Sequence, residues 1–228
     1  NSTNSGNNVK WNITADTCAV AITISGYVYT DEGITTSTAG YTVSLVVFGS
    51  WTTSTTASTT NGSYSFPNIN ATSGYALTVY LDNSTGTGVT VTRSAGSNIS
   101  GLNIYQNRII VRHEDAGPIT IVDLDKYDSE QDVDILYTSS STAGTLTASS
   151  TSEFFVWTSS TFGFWGTGGV GGAISLSDVD INGTSTATST QTISVSCSNT
   201  WSGASCWDVT GGKFISASST VEFTTTTT

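Results

Sequence analysis

Residues 19–30, AVAITISGYVYT, put Ile22, Ile24 and Val28 at alternate positions with small or polar residues between them. A period of two is the mark of a strand with one apolar face, because successive side chains point to opposite sides. The pattern extends downstream. Residues 41–48 (YTVSLVVF) and 75–81 (YALTVYL) read as strands, and 89–93 and 99–105 as shorter ones. The Thr/Ser stretch 51–60 is still compatible with a strand. Asp31-Glu32-Gly33 and Asn61-Gly62 read as turns.

Composition agrees. Of 228 residues, 43 are Thr and 36 are Ser, while helix-favouring residues are scarce, so β structure is expected throughout. Six Trp, nine Tyr and eight Phe suffice for a core, and only 10% of residues are charged, which argues against a solvated coil. Acids outnumber bases 17 to 6, for a net charge of −11. That balance excludes a phosphate-backbone binder, so no nucleic-acid partner is expected. No apolar run approaches the ~18 residues of a membrane span. The chain reads as a mature or trimmed secreted protein.

Two segments carry a family resemblance. Gly26-Tyr27-Val28-Tyr29-Thr30-Asp31-Glu32-Gly33, followed by a Val-rich strand and by Thr60-Asn61-Gly62-Ser63-Tyr64-Ser65-Phe66-Pro67-Asn68-Ile69, resembles the carboxypeptidase-regulatory-like or collagen-adhesin B-type module. The resemblance covers about residues 19–105. It implies an Ig-like, prealbumin-like β-sandwich serving as a spacer or stalk without catalysis. Residues 191–223 resemble the region of large bacterial surface proteins in which short strands stack as a parallel β-solenoid. An antiparallel sandwich accounts for the same strands, so both arrangements stay open here.

The expected organisation is all-β. An N-terminal tail (1–18) precedes a β-sandwich module (19–106). A strand and an acidic junction loop (107–137) then lead to a second β domain (138–228). In that last part short strands are expected at 144–147, 153–157, 162–165, 173–181, 192–196, 212–215 and 220–223. Their spacing is uneven and defines no strict repeat.

Eight of the 17 acids fall within residues 114–134. Asp123, Asp125, Asp128, Glu130, Asp132 and Asp134 alternate along an extended segment, and hard oxygen ligands so spaced suit Ca²⁺. The competing reading is a solvated loop paired in part with Arg108, Arg112 and Lys126. His113-Glu114-Asp115 lacks a matching nucleophile, and no active site is evident, so an enzyme is not expected. Cys197 and Cys206 bracket a polar loop and are expected to form a disulfide worth roughly 2.5–3 kcal/mol on the chain-entropy model. Cys18 is left as a buried thiol or an intermolecular link. Trp51, Trp157, Trp165, Trp201 and Trp207 are read as core, as subunit interface or as sugar-stacking platforms. Gly166–Gly172 (GTGGVGG) lacks the Lys-Ser/Thr end of a phosphate loop and reads as a flexible turn.

Two functions follow as expectations. The first is a structural subunit of an extracellular filament, pilus or surface layer, polymerising with copies of itself through β-strand addition. Val9, Trp11 and Ile13 form an alternating strand ahead of the module, and Val221 and Phe223 lie in a β-prone C-terminal run. These are the candidate interface residues. The second is a secreted adhesin or carbohydrate-binding protein at the cell surface.

Overall fold

A computed structural model describes residues 21–188, 190–198 and 206–224. The first unit is two facing sheets. In one, β1 (Ala21–Tyr29) lies between β4 (Ser63–Asn70), antiparallel to it, and β7 (Ile104–Tyr105), parallel to it. The other sheet starts with the antiparallel run β3 (Ser50–Thr56), β2 (Thr42–Val47), β5 (Ala76–Leu81) and β6 (Val89–Arg93). The alternating Ile22, Ile24 and Val28 of β1 pack against Val43, Leu45, Leu77 and Val79, as the periodicity requires. Every residue of β5 is buried, because both of its faces are covered. Leu77, Val79 and Leu81 face the sandwich core, while Tyr80 joins Val46 against Leu124, Tyr127 and Ile135 on the far side.

Gly26 shows how tightly the two sheets close. A Cβ there would run into the Leu102 carbonyl oxygen, which already accepts the Tyr64 hydroxyl. Gly26→Ala should therefore push β1 away from the 101–104 return and destabilise the fold by about 1–3 kcal/mol, measurable by urea unfolding.

Beyond β6 the sheet continues without a break. β6 pairs in parallel with β8 (Arg108–Val111), β8 with β12 (Glu153–Val156), β12 with β15 (Asp178–Ile181), and β15 with β18 (Trp207–Asp208). A second parallel stack holds β9 (Ile119–Thr120), β13 (Thr161–Phe164), β16 (Thr184–Ala187) and β19 (Lys213–Ile215). A third holds β11 (Thr145–Ala148), β14 (Ile174–Leu176), β17 (Thr192–Val195) and β20 (Thr220–Phe223), with β10 (Tyr137–Ser140) antiparallel along β11. The chain visits the three stacks in the same order four times. The second unit is thus a four-coil parallel solenoid. Its interior is a set of ladders of like residues, among them Ile109–Phe154–Val179 and Leu146–Ile174–Ile193–Val221. The second coil is filled by Phe154, Phe162 and Phe164, all fully buried with ring centroids 4.8–5.8 Å apart.

Two local features differ from the sequence reading. The strand expected at 173–181 is two strands, β14 and β15, because the chain turns a corner at the buried Ser177, whose hydroxyl donates to the Ser150 carbonyl (3.0 Å). A single helical turn, α1 (Ile121–Leu124), interrupts the segment read as an extended loop. It is set by a capping box: Thr120 Oγ1 accepts from Val122 N (3.2 Å) and Asp123 Oδ2 accepts from Thr120 N (2.8 Å). Residues 107–137 contain β8, β9 and α1 and so form two sides of the first coil, which β11 completes. Cys197 and Cys206 form a disulfide with Cα atoms 4.7 Å apart, which ties the end of β17 to the start of β18. Cys18 and Trp201 lie outside the described residues. Among those residues no helix is long and apolar enough to cross a membrane.

Candidate functional site

The six acids proposed for calcium are used separately. Asp123 caps α1 and Asp125 accepts the Ser141 hydroxyl. Buried Asp128 accepts from Glu130 N (2.9 Å) and Ser139 N (2.7 Å). Asp132 accepts the Tyr80 hydroxyl (2.7 Å), Asp134 accepts from Asn83 N (2.7 Å), and Glu130 is exposed. The acidic segment thus folds back over the outer face of β5 and uses carboxylates as hydrogen-bond acceptors. The structure does not bring three of these six together at ligand distance.

Three other acids do converge. Glu32, from the turn after β1, meets Glu153 of β12 and Asp180 of β15, with carboxylate oxygens within 4.8 Å of one another. Arg108 of β8 bridges two of them: Nη2 is 2.7 Å from Glu32 and Nε is 2.8 Å from Glu153. Parallel pairing brings Glu153 and Asp180 near Arg108: Glu153 lies beside Arg108 on one side and Asp178 on the other, and Asp180, two residues past Asp178, shares its face of the sheet. Arg108 and Glu153 are about 97–98% buried. One guanidinium cannot neutralise three carboxylates. Burial raises the Glu153 carboxyl to about 7 against the pull of Arg108, with Glu32 and Asp180 adding to the rise. Burial likewise raises Asp180 to about 6, helped by Glu32 and Asp208. Among the described residues these three oxygens are the set able to hold a divalent ion, in competition with Arg108 and with protons. Their place, at the seam between sandwich and solenoid, makes them a latch: Glu32 belongs to the first unit and its partners to the second.

On the opposite side of the shared sheet lies a cleft of about 520 Å³. One wall is the tip of the β2–β3 hairpin, where Phe48 stacks on Tyr75 (4.8 Å, 25°). The other is Trp165, just after β13, followed by the glycine-rich turn. Gly163 explains how Trp165 is held. A Cβ at that position would strike the indole, so its absence lets the ring lie against the strand. Arg93, Thr120 and Asp123 line the cleft between these walls. The Arg93 guanidinium is engaged, with Nη1 donating to the Pro118 carbonyl (2.8 Å) and Nη2 lying 3.1 Å from Asp115. Lys126 Nζ sits 4.8 Å above the Phe48 ring. Trp165 and the glycine-rich turn that directly follows it thus face Phe48 and Lys126 across one cleft.

No family model matches the chain, and neither a curated protein nor a solved structure matches it.

His113 is a structural tie. Its Nε2 accepts from Thr161 N (2.9 Å), which leaves Nδ1 to donate to the Asp115 carbonyl (2.9 Å). Trp51 is exposed, whereas Trp157 lies half-buried with Arg112 5.2 Å from its ring centre, and Trp207 packs edge-on to Phe214. Val9, Trp11 and Ile13 lie outside the described residues. Val221 and Phe223 sit on β20, the last strand of its stack. Thr220 N donates to Gln191 O and Thr224 N to Val195 O, both at 2.8 Å. Successive residues of a strand alternate in direction, so the N–H and C=O of Val221 and Phe223 face the open edge.

Proposed function

We propose that the protein is a structural subunit of an extracellular filament, pilus or surface layer, assembling through strand addition at the last solenoid coil. One observation carries this reading. β18, β19 and β20 each end their stacks, so the final coil offers three parallel edges unpaired by any described residue. Soluble proteins commonly blunt such edges with Pro, Lys or a capping element. β20 (TVEF) has neither Pro nor Lys, and Phe223 on it is 56% exposed. The segment of another copy that carries the alternating Val9, Trp11 and Ile13 is the proposed donor. Its main chain would supply the ladder, and its apolar side chains would continue those of β20. The disulfide supports an oxidising compartment.

Phe223→Pro tests the mechanism, because the one backbone donor it removes faces outward, while the ring contact with Trp207 (6.2 Å) is lost equally in Phe223→Thr. Negative-stain microscopy of the wild type should show filaments and that of Phe223→Pro should not, with a melting temperature close to that of Phe223→Thr. Phe223→Thr keeps the N–H and should still polymerise, though less well. Wild-type protein that stays monomeric at high concentration, or Pro-variant filaments of normal length, would refute the proposal.

A further inference from the structure

We infer that the cleft between the hairpin tip and the glycine-rich turn binds a saccharide bearing a carboxylate, of the hexuronic-acid type. This is independent of assembly at β20, which lies in a different part of the fold. The volume, about 520 Å³, is within the range of small-ligand sites. The lining suits a ligand that is apolar on its faces and polar at its edges. Trp165 offers an indole face on one wall, and a pyranose has a C–H face to lay on it; Phe48, stacked on Tyr75 and covered by Lys126, closes the opposite wall. Thr120, Asp123 and Thr167 bring hydroxyl and carboxylate groups to the lining, matched to ring hydroxyls.

The charge is what narrows the class. Lys126 sits in the most acidic stretch of the chain, yet among the described residues no carboxylate lies within 4 Å of its ammonium. It is turned instead over Phe48, into the lining of the cleft. An ammonium held there without an acid is a ready partner for a ligand anion. The anion should carry a single charge. Asp123 shares the lining, and the Arg93 guanidinium is already engaged with Asp115 and Pro118, so a phosphate dianion would meet one cation and one carboxylate. A sugar carboxylate beside Lys126, with its ring against Trp165, satisfies both groups.

The turn is built for access. Gly168 and Gly169 both adopt positive φ, and a Cβ at either would meet nothing within 4 Å, so this backbone is open to the cleft. The amides of Gly166, Gly168 and Gly169 are therefore local reporters.

The experiment is a titration of ¹⁵N-labelled protein with an oligogalacturonate and with its fully methyl-esterified, neutral counterpart. The acid form should shift the Gly166, Gly168 and Gly169 amides and the Trp165 indole N–H, and the ester should bind about tenfold more weakly or not at all. Lys126→Gln should weaken the acid form to the level of the ester, while Lys126→Arg retains it. Trp165→Ala should weaken both forms. Because truncation at Trp165 risks local rearrangement, Trp165→Phe is the second variant, expected to keep partial binding. No shift at millimolar oligogalacturonate overturns the inference. So does equal binding of acid and ester, or binding unchanged in Lys126→Gln.

Discussion

The melting temperature should fall as the pH is raised from 5 to 8, and Glu153→Gln should remove most of that fall. The main cause is the seam cluster, with the Asp123 carboxyl, also raised by burial, adding to the fall. Glu153 titrates at about 7 in the folded chain against an ordinary 4.5, and Asp180 at about 6 against 3.8. Between those limits the folded protein holds protons that the unfolded chain has released. Stability is therefore full below the unfolded values, declines as pH rises through the window from about 4 to about 7, and levels off above it. At 1.36 kcal/mol per unit, the rise on Glu153 alone corresponds to about 3 kcal/mol. Asp31 and Asp208 are shifted the other way by hydrogen bonds from the 34–35 and 210 backbone. They titrate below the usual carboxylate range and so do not oppose the trend between pH 5 and 8. In Glu153→Gln the amide oxygen would still accept from Arg108 without adding charge, so calorimetry should show a flatter profile and a variant at least as stable as wild type at pH 8. A Glu153→Gln profile as steep as wild type would show that the seam is not the origin.

The second large effect is Phe154→Ala. Phe154 is fully buried at the centre of the second coil, 5.0 Å from Phe162 and 5.8 Å from Phe164. Removing a ring from such a site costs about 3–5 kcal/mol, a large part of an ordinary domain's roughly 5–15 kcal/mol. The manner of unfolding is as informative as the size. The sandwich and solenoid have separate apolar cores, yet β6 and β8 are hydrogen-bonded neighbours in one sheet. Calorimetry should show one transition that moves as a whole in the variant. A shifted peak beside an unshifted one would mean that the shared sheet fails to couple the two units.

Much of the strand inventory was legible in the sequence. Residues 41–48, 75–81, 89–93, 153–157, 192–196 and 220–223 each contain or match a strand, because alternation and β-branched content act locally. The expected all-β fold holds. The coil repeat was hidden, because β8 and β12 are separated by α1 and the acidic segment while later coils are much shorter. The two readings left open for the last 91 residues are separated only by strand direction, a long-range property that local composition does not encode. The seam cluster was missed for the same reason. Its members run from residue 32 to residue 180 and meet through the parallel pairing of β8, β12 and β15 and the placement of the turn after β1. The available signal was acids set inside apolar strands, Glu153 in EFFV and Asp178 and Asp180 in DVDI. Alternating carboxylates in 123–134 pointed to a cation, whereas backbone and side-chain donors, including those of Tyr80 and Asn83 about 50 residues away, take up all but the exposed Glu130 one by one.

The unbroken eight-stranded sheet has a mechanical consequence. Two modules joined by a linker behave as beads on a string, and tension between them first straightens the linker. Here β6 and β8 lie side by side, joined by ladder bonds in parallel register. Tension along the strands would load those bonds together, in shear, while the Glu32–Arg108–Glu153 bridge resists peeling at the edge. The protein should therefore respond to pulling as a single rod, with its first yield point inside a sheet.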